Sequence, residues 1–92
     1  MSKKTKTIKK AYKGVLNGYC DIPWCRPYKD LINAAELLEK LEKAEDLDSI
    51  FDVADEVVSR CSKAQVNPET PETEKIRAHC LQRAIGGLNH VF

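Results

Sequence analysis

The sequence predicts an all-α fold, a compact single-domain bundle of about four helices, on three observations. At 92 residues the chain has room for one domain. A domain of this size buries somewhat more than the ~60% of unfolded surface expected for 60 residues, which leaves a thin core and no roomy substrate cavity. Apolar residues recur at three- and four-residue steps in four separate stretches, the spacing that gathers side chains on one helix face. Short connectors separate those stretches, which favours antiparallel neighbours, and no run alternates in the manner of a strand.

The first helix is expected over residues 5–18, after a flexible basic start at 1–4. Ile8, Ala11, Tyr12, Val15, Leu16 and Tyr19 gather on one side, with Lys6, Lys9, Lys10 and Lys13 opposite. Thr5 or Thr7 serves as N-cap, and Asn17-Gly18 supplies a left-handed stop. Between Tyr19 and Pro27 two prolines four residues apart force extended geometry on their predecessors, so this stretch reads as an ordered connector whose Ile22 and Trp24 plug the bundle end. Pro27 suits the first turn of a second helix over 27–44, with Leu31, Ala34, Ala35, Leu38 and Leu41 inward. Asp46 or Asp48 caps a third helix over 48–65, which buries Ile50, Phe51, Ala54, Val57, Val58 and Cys61. Asn67-Pro68 or Thr70-Pro71 opens a fourth over 71–86, with acids in its first turn and Ile76, Cys80, Leu81, Ala84 and Ile85 on its apolar side. Gly86-Gly87 ends it, leaving 88–92 as a tail.

Charge is laid down unevenly beneath a net +1. Residues 1–29 carry eight basic side chains against Asp21, for +7, whereas residues 30–58 carry ten acids against Lys40 and Lys43, for −8. Residues 59–92 return to +2, from five bases and three acids. Such polarity concerns partners more than fold. No apolar run approaches the ~20 residues of a membrane span. The basic start lacks the apolar stretch of a secretory signal, so the expected location is cytoplasmic, with four free thiols in a reducing compartment.

The lysines of the first helix carry the main functional signal, because ammonium groups at helical spacing meet successive phosphates. Tyr12, Tyr19, Trp24 and Tyr28 lie in the same basic third, together with Arg26 and Lys29, and rings beside cations suit base stacking or an interface anchor. The competing readings are a solvated amphipathic face for the lysines and core filling for the rings. The acidic middle reads as a water-facing surface, as a phosphate mimic toward a basic partner, or as the intramolecular partner of the lysine helix. Cys20 and Cys25, spaced C-x4-C, are zinc candidates at the wide edge of ligand spacing, with Cys61, Cys80, His79 and His90 as conceivable companions. His79 and Cys80 are consecutive, so on a helix they point about 100° apart and do not form a nucleophile and base. No phosphate loop or H-E-x-x-H motif occurs. The expected protein is non-enzymatic and needs no cofactor.

The basic run from Lys3-Lys4-Thr5-Lys6 to Lys13 and the acidic block from Glu36 to Glu56, on a short compact chain, resemble small phage-encoded anti-CRISPR inhibitors of multisubunit RNA-guided complexes. That resemblance implies a noncatalytic mode, in which the protein occupies a groove between effector subunits and guide RNA and blocks target DNA. The expected partner is a protein or nucleoprotein complex, with or without RNA, and the charge and aromatic pattern makes Lys6, Lys9, Lys10, Lys13, Tyr12, Trp24, Arg26 and Lys29 the candidates for contact with the partner or with phosphate. The alternatives are an autonomous DNA- or RNA-binding regulatory module and a zinc-stabilised small domain.

Overall fold

The computed structural model describes residues 2–20 and 32–91. Among them all regular structure is helical: α1 Lys3–Cys20, α2 Ala34–Lys43, α3 Leu47–Val66 and α4 Glu72–Val91. The all-α bundle of four helices is thus as expected, and its radius of gyration of 12.8 Å matches the ~13 Å of a compact 100-residue chain. Successive helices alternate in direction. Glu36 and Lys40 of α2 meet Arg60 and Glu56 of α3, Gln82 of α4 meets Ser62 of α3, and Asn89 of α4 meets Tyr12 of α1.

α1 starts earlier than expected because Ser2, not Thr5 or Thr7, caps it. The Ser2 hydroxyl accepts from the Thr5 amide at 3.1 Å, and the Lys6 amide donates to the Ser2 carbonyl at 3.0 Å. Lys3 and Lys4 are therefore helical rather than part of a loose start. The helix also runs through Asn17-Gly18 to Cys20 with no positive φ at either glycine. Glycine permits a left-handed stop without requiring one.

α2 is shorter than the expected 27–44. Asn33 adopts φ 51 and ψ 57, a left-handed geometry that asparagine tolerates and a continuing α-helix does not. Its carbonyl accepts from the Glu36 and Leu37 amides, so helical bonding begins there. Ala35, expected inward, is exposed, and Leu37 is buried. Pro27 and Leu31 lie outside the described residues. α3 opens as expected on Asp46, whose Oδ1 accepts from the Ser49 amide at 2.7 Å. The backbone acceptance holds the Asp46 carboxyl below the ordinary aspartate value.

α4 follows Thr70-Pro71, the Pro71 carbonyl accepting from the Glu74 and Lys75 amides at 3.0 Å each. It does not stop at Gly86-Gly87, so residues 88–91 are helix and not tail. Its buried stripe is also turned from the expected one. Glu74, Ala78, Leu81 and Ile85 face inward, while Ile76 is 62% exposed and Cys80 stands outside. The cause is Glu74, only 7% exposed, whose carboxylate reaches Arg77 at 2.8 Å and so occupies an inward position that an apolar residue would normally mark. The second oxygen, Oε2, and the Thr70 hydroxyl are buried without a hydrogen-bond partner.

The core joins all four helices. Tyr12 meets Phe51 edge to face, ring centroids 6.2 Å apart, a favoured aromatic arrangement. Between Tyr12, Leu16, Leu41, Val57 and Ile85 only about 10 Å³ stays open, at or below what one water needs. Gln82 adds a polar seam, accepting from Gln65 at 2.7 Å and donating to Ser62 at 2.6 Å. No described helix is long and apolar enough to cross a membrane.

Candidate functional site

The centre formed by the described residues is filled, and their polar groups are presented mainly at the surface. The four lysines of the α1 face line one groove of about 530 Å³ together with Gly14, Asn17 and Glu42. Burying Ile8, Tyr12 and Leu16 turns positions 6, 10, 13 and 17 outward as a single ridge, and α2 closes the side of the groove through Glu42. The structure therefore brings together Lys6, Lys9, Lys10 and Lys13 as the spacing implied. It does not leave all four equally available.

Lys9 is turned inward, its ammonium donating to the carbonyls of Glu42 at 2.6 Å and Ala44 at 2.9 Å. Those carbonyls end α2, where the helix dipole favours a cation. Lys13 donates to the Glu42 carboxylate. That hydrogen bond, followed by the charges of Lys13 and Lys9, holds the Glu42 carboxyl below its ordinary range. Lys6 and Lys10 are exposed and have no acidic partner among the described residues. α1 also lacks any acid in its first turn, which carries Lys3, Lys4 and Lys6 instead.

Tyr12 cannot take the expected surface role. It is 2% exposed and its hydroxyl donates to Asn89, so the ring belongs to the core. Burial, then the charge of Asp55, pushes its pKa up. Trp24, Arg26, Lys29, Tyr28 and Cys25 lie outside the described residues, as do the side chains of Tyr19 and Cys20.

Three carboxylates of the acidic block are paired with cations of α2 and α3. Arg60 Nη2 donates to Glu36 at 2.6 Å and to Glu56 at 2.7 Å, while Nη1 donates to the Ile32 carbonyl at 3.0 Å. Lys40 joins Glu56 at 3.1 Å and Glu36 at 3.3 Å, and Lys43 pairs with Glu39 at 2.9 Å. Glu36 is held low first by Arg60 and then by Lys40, Glu56 first by Lys40 and then by Arg60. The cations rise in return: Arg60 mainly through Glu36, Lys40 mainly through Glu56. Sequence reading missed Arg60, although Glu36-Lys40 and Glu56-Arg60 both stand at the i,i+4 spacing of helical ion pairs. Asp48, Asp52 and Asp55 remain exposed on α3 without an ion pair among the described residues.

Cys61 is buried in the core and Cys80 is exposed on α4, so these two thiols occupy different environments. No group of three or more His, Cys, Asp or Glu side chains able to hold a metal occurs among the described residues. No protein-family model, no curated protein and no solved structure matches the chain.

Proposed function

We propose that the chain is a non-enzymatic binding protein whose α1 groove engages an anionic surface on a protein or nucleoprotein partner. One observation carries this reading: Lys6 and Lys10 stand exposed beside Lys13 along a single groove and lack an acidic partner among the described residues. The helix ends add support. Glu36, Asp48, and Glu72 with Glu74 occupy the first turns of α2, α3 and α4, where the dipole stabilises acids. α1 carries three lysines and no acid there, against its own dipole. Helix stability does not account for that arrangement, whereas attraction of an anionic partner does.

The most specific form of the reading is a phage inhibitor of an RNA-guided CRISPR complex that blocks nucleic-acid binding. Its test is a plating assay on a host whose CRISPR system targets the infecting phage. Expression of the chain is expected to restore plaques, and the Lys6→Glu/Lys10→Glu variant is expected to lose that effect while keeping its helicity. Equal protection by both proteins would remove the groove from the mechanism. No restoration against any system tried, combined with tight binding of free nucleic acid, favours the autonomous regulatory module instead.

A further inference from the structure

We infer that the ligand of the α1–α2 groove is the phosphodiester backbone of a single nucleic-acid strand, an inference that rests on the groove being the partner-binding site. Among the described residues the lining is made of lysines, Gly14, Asn17 and Glu42, with no aromatic or branched aliphatic side chain. A peptide partner gains its affinity from aromatic or aliphatic anchors seated in desolvated pockets, which these described residues do not form. A phosphate backbone needs only cations and hydrogen-bond donors, which the lysines and the Asn17 amide supply.

The cations are arranged as a line. Lys6, Lys10 and Lys13 extend over about 10 Å of helix at 1.5 Å per residue, which suits a ligand of repeating charge better than a lone anion. Lysine is also a point charge without the fork that fixes bidentate geometry, so contact is made without base selection. Tyr12 is buried and offers no stacking face, and recognition by α1 is therefore of the backbone alone. Flexibility favours the single strand. An unpaired strand can follow this short row of cations, whereas a duplex, stiff over ~150 bp, must meet it with the fixed curvature of its backbone.

Two further residues fit this ligand. Gly14 is exposed and helical, and a Cβ added there meets nothing within 4 Å. Neither a turn nor packing asks for glycine at this position, and it weakens the helix relative to alanine. What it provides is bare backbone between Lys10 and Asn17, where a strand can approach closely. Glu42 is the one acid of the lining among the described residues and holds Lys13. An entering phosphate displaces that carboxylate, so Glu42 lowers the affinity of the groove for its own ligand.

The test is fluorescence anisotropy of the full chain with a labelled mixed-sequence single-stranded RNA, the matching duplex, and poly-glutamate, across a salt series. Single-strand binding is expected with a log–log salt slope of about −2, from three lysines at about −0.7 each. Lys6→Ala/Lys10→Ala is expected to weaken it at least about ten-fold and to flatten the slope by about 1.4. Glu42→Gln should tighten binding several-fold, and Gly14→Leu should weaken it while melting no lower than the wild type. An unchanged slope in the lysine variant, unchanged or weaker binding by Glu42→Gln, or a duplex bound as tightly as the strand overturns the inference. Binding of poly-glutamate without RNA at ~50 mM salt overturns it as well but leaves the groove as a partner site. Binding of neither probe overturns both.

Discussion

Gly87→Ala tests the course of α4 through the sign of a stability change. The residue is helical and exposed, has no positive φ, and a Cβ there meets nothing within 4 Å. Alanine in a helix interior is better than glycine by about 0.5–1 kcal/mol, partly because the unfolded chain loses freedom. Gly87 stands four residues before the last helical residue, Val91, where fraying trims the gain toward the lower figure. At about 4–8 °C per kcal/mol for a domain of this size, the expected rise in Tm is about 2–5 °C. Gly86→Ala should act in the same direction. Were Gly87 instead the left-handed residue that ends α4, alanine would cost about 1–2 kcal/mol and Tm would fall by several degrees. Thermal unfolding followed by circular dichroism distinguishes the two outcomes, and a lowered Tm refutes the continuous α4.

Three further outcomes are expected. Arg60→Ala should destabilise by about 1–3 kcal/mol, since it removes the donor of the Ile32 carbonyl and leaves Glu36 and Glu56 to Lys40 alone, while Arg60→Lys recovers only part because the fork is lost; urea unfolding measures both. Glu36, Glu42, Asp46 and Glu56 are held below their ordinary values of 4.5 and 3.8, so their contribution is present above those values and is lost as pH falls through the lower folded ones. Tyr12, Lys40 and Arg60 are raised, so theirs is full below their ordinary values, 10.0 for Tyr12 and 10.5 for Lys40, and is lost as pH rises through the higher folded ones. The urea midpoint should accordingly be flat between about pH 5 and pH 9 and decline on both sides. Lys4→Glu should raise Tm at low salt, through about 0.3–1 kcal/mol of dipole interaction, and should at the same time weaken RNA binding; a fall in both, with helicity lost, would mean that the lysine serves the fold.

What the sequence made legible follows from what each signal depends on. Ile8, Tyr12 and Leu16, and likewise Ile50, Ala54, Val57 and Cys61, mark buried faces because helical spacing is a local property. The Asp46 cap was legible for the same reason. The left-handed turn at Asn33 was not, because nothing in its neighbours demands it, and Gly18, Gly86 and Gly87 misled because glycine allows a stop that the surrounding helix declines. Glu74 hid the inward face of α4 because the Arg77 partner that makes its burial tolerable is a matter of side-chain placement. The lysine face was visible at the outset, but its division was not. Lys9 binds backbone carbonyls at the end of α2, and no residue pattern announces carbonyls that only packing brings near.

The division of charge argues that the opposed segments were not arranged for each other. If they were, the acids of α2 and α3 would draw the lysines of α1 across the bundle. Among the described residues Glu42 alone accepts such an ion pair, and Glu36, Glu39 and Glu56 are satisfied by Lys40, Lys43 and Arg60, within and between α2 and α3. Lys6 and Lys10 are thus exposed while acids are within the same small molecule, and Asp48, Asp52 and Asp55 are exposed on α3. Surface ion pairs contribute little to stability, so folding alone has no strong reason to bring the two sets together or to hold them apart. A partner has such a reason, since an uncompensated row of like charge steers encounter with its opposite over a distance of about one Debye length. On the proposed reading, the pairing of Lys13 with Glu42 would tune the groove, as a local carboxylate that a more highly charged ligand outcompetes.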